Sequence, residues 1–222
     1  LANLVSKCAS LSPGFSGADI SNVSNESAII SVREKCSQVG ESQVKRAMDY
    51  VMLGSEKVGI LSQLESEIVA YHEAGHAVLS YMLPKVANPV KVSIVPREKG
   101  MLGFSQSEAM SEVLMTKQMI EQQIMVLMGG RVAEEIFIDD ITNGATSDIE
   151  RANDLVRKYY NLFCLDSTNK FHSIKEENMV AQHGERTKSD IDDRVKSILD
   201  ELYKKTFQAV YSREKEIEEI KE

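Results

Sequence analysis

Two of the chain's four histidines, His72 and His76, stand four residues apart, with Glu73 directly after the first. In a helix that spacing puts both imidazoles on one face, one turn apart. Two ring nitrogens can then reach a single zinc ion at about 2.0–2.1 Å. Glu73 falls beside the metal without being a ligand. There it can take a proton from a zinc-bound water, whose pKa the metal lowers toward ~7. The implied chemistry is zinc-assisted hydrolysis of a peptide bond. The plainer alternative is a helix carrying two hydrogen-bonded histidines. Gly75 weighs against it, because a glycine inside a helix costs about 1 kcal/mol and a neighbour must approach closely to repay it.

A catalytic zinc takes a third protein ligand and keeps one position open. The residue pattern offers several candidates and does not choose among them. His172 and His183 lie in a polar stretch that is costly to order for one ligand. Glu134 and Glu135 lie toward the end of a predicted helix, where they could equally be ordinary charged positions. Asp148 opens another helix, and Ser147-Asp148-Ile149-Glu150 reads as a capping box. In that role Asp148 would only complement the helix dipole. No GxSxG elbow and no plausible Cys/His pairing is present, so nucleophilic hydrolysis has no support. A GxxxxGK[ST] phosphate loop is also absent, so this chain is not expected to hydrolyse ATP.

The elements that must position these residues are mostly helical. The capping box Ser62-Gln63-Leu64-Glu65 predicts the start of a helix that runs to Pro84 and contains His72 and His76. Val90 to Val95 alternates and ends at Pro96, which predicts a short edge strand. Gly100, Gly103 and Ser105 to Ser111 read as a loop. A helix over about Thr116 to Glu135 contains Gly129-Gly130, again a sign of close backbone packing. The helix from Asp148 is expected to bury Ile149, Ala152, Val156, Tyr159 and Phe163. Asp166 to Lys188 reads as polar and mobile, and a last helix starts near Asp190 with Ile191, Val195, Ile198 and Leu202 on one face. Upstream, Leu1 to Gly59 reads as helix, a Ser10–Gly17 loop, then helices from about Asp19 and over Ser42 to Met52.

Composition narrows the rest. The formal net charge of -8 with no basic stripe gives no support to nucleic-acid binding. Cys8, Cys36 and Cys164 are far apart and form no CxxC, which argues against a disulfide framework or a thiolate zinc site. The chain starts at Leu1 and shows neither a signal peptide nor a run approaching the ~20 apolar residues of a membrane span, so it is expected to be a soluble piece of a longer protein.

Four stretches carry a resemblance to the FtsH family of membrane-anchored AAA+ zinc metalloproteases, leaning to its mitochondrial m-AAA branch. Ala70-Tyr71-His72-Glu73-Ala74-Gly75-His76-Ala77-Val78 resembles the family's zinc helix. Lys91-Val92-Ser93-Ile94-Val95-Pro96-Arg97 resembles its substrate-edge strand. Gly129-Gly130-Arg131-Val132-Ala133-Glu134-Glu135 and Thr142 to Ala152 are similar to its GGRxAEE and TxGAxxDIxxA segments. Pro13 to Ile20 and Asn25 to Ala28 resemble the small helical lid of the family's ATPase domain. A departure follows Tyr160: the family has a glycine-containing turn there, and Asn161 to Asn169 has no glycine.

The resemblance implies a mainly α fold. Residues 1–59 would be a helical AAA+ lid, and residues 60–222 a helical zinc metallopeptidase domain with a short edge strand or small sheet. It implies zinc held by His72, His76 and Asp148, with Glu73 as the base and Glu134 and Glu135 in supporting positions. Lys91, Val92, Ser93, Ile94 and Val95 would pair with an extended substrate. ATP would be used only by the full-length protein. The partners implied are unfolded or membrane protein substrates and fellow subunits of a hexamer. The membrane would be reached through segments outside this chain, in an organelle inner membrane, mitochondrial before plastid, or a bacterial one. Two rival readings remain: a non-catalytic assembly module retaining the fold, which loss of a ligand or base would mark, and a peptidase that works without an ATPase.

Overall fold

The computed structural model describes residues 5, 8–9, 12, 14–57, 59, 61–97, 102–107, 114–169, 173 and 185–221. The elements are α1 (Gly17–Arg33), α2 (Glu41–Leu53), α3 (Gln63–Met82), β1 (Pro89–Ser93), β2 (Phe104–Ser107), α4 (Lys117–Phe137), α5 (Thr146–Arg157), α6 (Glu185–Tyr211) and α7 (Glu214–Lys221). The fold is therefore mainly helical with one small antiparallel sheet of β1 and β2. Among the described residues, no helix is long and apolar enough to cross a membrane.

Local chemistry sets the helix starts. Ser16 accepts the Asp19 amide while the Asp19 carboxylate accepts the Ser16 amide, and Ser62 and Glu65 do the same at the head of α3. Helix α2 stops at Gly54, whose φ of 84° no β-branched residue would adopt cheaply. Helices α1 and α2 bury Val23, Ile30, Ala47 and Met48 against one another, a cluster separate from the rest of the core.

The larger core has two parts. Ile120 and Ile124 of α4 meet Ala152 and Val156 of α5 and Ile191, Val195, Ile198 and Leu202 of α6. Tyr71, Ala74, Val78 and Leu79 of α3 meet Val132 and Ala133 of α4, with Val210 and Ile217 closing the far side. Helix α3 is buried without a break from Ala70 to Ser80, as expected for a helix enclosed on all faces. It lies tight against α4 because glycine faces glycine. A Cβ added at Gly75 would lie 2.4 Å from the Gly129 carbonyl oxygen.

Several sequence expectations need correction. The segment Phe104–Ser107 is a strand and not a loop; its serines and glutamine gave no apolar alternation to read. Residues 108–111 of that expected loop lie outside the described residues. Strand β1 ends at Ser93, so Ile94 and Val95 fall beyond it, and a bulge interrupts its register between Pro89 and Lys91. The capping box at Ser147 does not form: α5 begins at Thr146, two residues before the expected Asp148, follows directly on a 3-10 turn at Asn143–Ala145, and is capped by no side chain. Ile149 and Phe163 are exposed, while Ala152, Val156 and Tyr159 are buried. The widened π turn at Lys158–Leu162 shifts the helical phase, turning Asn161 inward and leaving Phe163 out. The helix expected from Asp190 begins at Glu185, and a break at Ser212-Arg213 ends it and folds a further helix, α7, back onto α3.

Candidate metal centre

His72 and His76 project from the buried middle of α3, and Asp148 reaches them from the first turn of α5. The Nε2 atoms of the two histidines are 3.0 Å apart, and each lies 3.4 Å from Asp148 Oδ2. Ligands at 2.0–2.1 Å around a tetrahedral ion are separated by roughly 3.3 Å. The three atoms thus match one face of such a tetrahedron. Of the third-ligand candidates, the fold brings Asp148 to the pair. His172 and His183 lie outside the described residues.

Hydrogen bonds fix which nitrogens face the centre. His76 Nδ1 lies 2.7 Å from the Val126 carbonyl oxygen, which can only accept, so Nδ1 carries the proton. His72 Nδ1 lies 2.7 Å from Glu134 Oε1, and an ionised carboxylate likewise imposes the donor role. In neutral rings both Nε2 atoms then present lone pairs to each other and to the Asp148 carboxylate. Three electron-rich atoms in this geometry require a positive charge among them, which a proton on His72 or a divalent cation can supply.

The electrostatics agree. Burial disfavours protonation of His72, but hydrogen bonds that it donates to the Asp148 and Glu134 carboxylates outweigh it and raise the pKa to about 9. Burial raises the Asp148 carboxyl, yet the two histidines prevail and hold it well below the usual carboxylate range. Glu134 shows the same balance, lowered by His72 and Thr142 against its burial. Glu73 differs in the outcome: burial pushes its pKa up, and the nearby histidines oppose this without reversing it. Glu73 is thus the carboxylate of the cluster whose environment favours the proton, which suits a group that takes and gives one.

Glu134 has a second task. Its Oε2 accepts from the Thr142 amide at 2.8 Å and from Thr142 Oγ1 at 3.0 Å, and Arg131 donates to the Thr142 carbonyl at 2.7 Å. One carboxylate therefore orients His72 and anchors the loop that leads to Asp148. Glu135 is not part of this arrangement. It is exposed, and its carboxylate accepts from the Tyr203 hydroxyl on another face of α4. Close packing completes the site. A Cβ at Gly130 would meet the His72 ring at 2.5 Å, and one at Gly103 would meet Glu73 Oε1 at 2.8 Å.

Thr142, Val126 and Gly103 were not singled out as site residues in the sequence. The Thr142-Asn143-Gly144 turn could have pointed to the first. Val126 acts through its backbone carbonyl, so its side chain carries no signal. Of the strand residues, Lys91 pairs with Asp49, Val92 is half-buried, and Ser93 Oγ accepts from the Val95 amide. Val90, Lys91 and Val92 line a groove of about 880 Å³ that also takes in Ala77 and Tyr81 of α3 and Ile220 of α7.

Two imidazoles from one helix and a carboxylate from another, with a buried glutamate beside them in a mainly helical fold, fit a metal-dependent hydrolase. Comparison with known proteins places it more closely. A family model described as peptidase family M41 matches residues 59–222, and one described as an AAA+ lid domain matches residues 3–46. The chain is 34% identical to the mitochondrial ATP-dependent zinc metalloprotease FTSH 8 of Oryza sativa subsp. japonica, over 97% of this chain and 27% of that protein. It is 35% identical to the mitochondrial inner membrane m-AAA protease component AFG3L2 of Mus musculus, over 98% of this chain and 28% of that protein. The ATP-dependent zinc metalloprotease FtsH of Pseudothermotoga lettingae is also 35% identical, over 94% of this chain and 35% of its own length. The chain belongs to peptidase family M41. It spans about a quarter to a third of the length of these curated relatives.

Proposed function

We propose that this chain supplies the peptidase and lid portions of an ATP-dependent, membrane-anchored zinc protease that degrades unfolded and membrane proteins. The boundary between the two portions falls at residues 59 and 60. The observation that carries the reading is the triangle of His72 Nε2, His76 Nε2 and Asp148 Oδ2, with sides of 3.0, 3.4 and 3.4 Å. His72, His76 and Asp148 would hold zinc, and Glu134 would orient His72. When bound, zinc would supply a Lewis acid that polarises the scissile carbonyl and acidifies water at the open position. Glu73 takes the proton of the attacking water and passes it to the leaving amine. Lys91 to Ser93, continued by Ile94 and Val95, pair through the backbone with an extended substrate, whose side chains the groove beside β1 receives. Backbone pairing suits broad specificity.

Zinc and ATP use, hexameric assembly and an inner-membrane location, mitochondrial in preference to plastid, would belong to the full-length protein; the relatives, ATP-dependent zinc metalloproteases of mitochondria and bacteria, support the zinc, the ATP and the membrane. ATP would be bound by segments outside this chain. His72, His76, Asp148 and Glu73 are all retained and lie close together, which disfavours the assembly-module reading. Zinc analysis paired with Glu73→Gln tests the proposal. The variant should retain zinc and lose cleavage of an unfolded protein such as casein. Cleavage at the wild-type rate would remove Glu73 from the role of base.

A further inference from the structure

The two-stranded sheet is a weak element by itself, since a lone hairpin in water is marginal at best. Yet it covers the catalytic glutamate. Gly103 stands directly before β2, and a Cβ there would lie 2.8 Å from Glu73 Cγ and 2.9 Å from Val69 Cγ1. Something must hold the sheet at this distance from α3.

Two tethers reach it from the first sixty residues. Asp49 of α2, buried although charged, pairs with the Lys91 ammonium of β1. That ammonium also sits 5.9 Å from the centre of the Phe104 ring in β2. Phe104 pairs with Ser93 across the sheet and is the next residue after Gly103. Beyond β1, the Lys57 amide donates to the Pro96 carbonyl at 2.9 Å, and Glu56 and Arg97 form an antiparallel bridge. Arg97 is buried and reaches Glu56 Oε1 at 3.2 Å and the Gly54 carbonyl at 3.4 Å. The contacts run without interruption from α2 to Lys91, Phe104, Gly103 and Glu73.

We propose that Asp49 and Arg97 are positioning residues: they clamp the sheet onto the zinc helix from the lid-like segment and so couple the placement of that segment to the cover over Glu73. The catalytic part of this inference rests on the proposed role of Glu73, but the mechanical part does not. A displacement of α2 would pull on both β1 and the chain after it, and the sheet would carry the motion to Gly103. Glu73 would then lose its cover and substrate its edge strand, without any change at the metal.

Hydrogen–deuterium exchange on the whole chain tests the clamp independently of activity. In Asp49→Asn, the amides of Lys91 to Ser93 and Phe104 to Ser107 should exchange about three- to tenfold faster, while those of Ile120 to Ile124 stay unchanged. The double reversal Asp49→Lys with Lys91→Asp should restore slow exchange. Arg97→Lys, which keeps the charge but loses the forked contact, provides a second variant should Asp49→Asn fold poorly. In parallel, kcat on a short unstructured peptide should fall in Asp49→Asn with zinc affinity unchanged. Exchange in the strands equal to wild type in both Asp49→Asn and Arg97→Lys would overturn the clamp. Absence of zinc or peptidase activity in the wild-type chain would instead overturn the proposed function, and the exchange result would still decide the clamp.

Discussion

Gly75 and Gly129 face each other across the contact of α3 and α4 so closely that a Cβ on Gly75 would lie 2.4 Å from the Gly129 carbonyl oxygen. The obstacle is backbone, which cannot swing aside. Helix propensity alone would favour Gly75→Ala by about 1 kcal/mol, whereas overpacking costs about 1–3 kcal/mol and occasionally more. The steric term wins in this account. Chemical denaturation of Gly75→Ala should show a net loss of stability of about 1 kcal/mol or more. A more stable variant would mean that the helices are not in this contact. Gly130→Ala should act on the metal instead, because its Cβ would meet the His72 ring at 2.5 Å.

Cys164 occupies a left-handed backbone conformation with φ of 51°. It closes the π turn: the Phe163 amide donates to the Lys158 carbonyl, and the Leu165 amide donates to the Tyr159 carbonyl at 3.1 Å. This is the turn where the family resemblance implies a glycine, and here a cysteine fills the conformation. A residue with a Cβ is strained there by about 1–2 kcal/mol, partly offset by the greater freedom glycine loses on folding. Cys164→Gly should therefore raise the urea midpoint by the equivalent of about 0.5–1 kcal/mol, and Cys164→Val should lower it. The reverse order of the two midpoints would contradict the assigned turn.

Asp166 supplies a pH test away from the metal. Burial pushes its carboxyl up, but hydrogen bonds from Arg194 and Thr168 prevail and hold the pKa at about 2, against an ordinary 3.8. The folded-state pKa is the lower one. Its contribution is therefore present above about pH 4 and lost as pH falls toward 2. Arg194→Leu would strand a buried carboxylate and should cost about 2–4 kcal/mol at pH 7. The gap between variant and wild type should narrow as pH falls from about 4 toward 2 and close below about 2, where Asp166 is neutralised in both. A gap independent of pH would assign the loss to packing alone.

The sequence makes some of this legible, and the reasons differ by element. The heads of α1 and α3 are written locally, because Ser16 with Asp19 and Ser62 with Glu65 satisfy their own helix termini. Gly75 and Gly129-Gly130 advertise close approach through their helical cost, although nothing local says that they meet each other. Strand β2 could not be read, because Ser105, Gln106 and Ser107 gain their strand partners only from β1. The Ser147 capping box was a sound local signal overridden by the 3-10 turn that runs straight into α5. At the site, the spacing of His72 and His76 is a property of one helix and so is visible in one dimension. The choice among Asp148, Glu134 and Glu135 is not, since it depends on how α4 and α5 pack against α3. The break at Ser212-Arg213 was missed for a similar reason: it is defined by Ile217 packing back into the core.

The central claim is a three-ligand metal site oriented by Glu134, and competitive zinc titration of the chain tests it most directly. The wild type should bind one zinc ion per chain. Glu134→Gln should weaken binding by about 10–100-fold, because His72 loses its orienting carboxylate. Asp148→Asn should weaken it further still, since an amide dipole replaces a negative oxygen at the cation. Glu135→Gln should leave affinity unchanged, because Glu135 bonds to Tyr203 and faces away from the histidines. Wild-type affinity in Asp148→Asn, or loss of zinc in Glu135→Gln, would contradict the account.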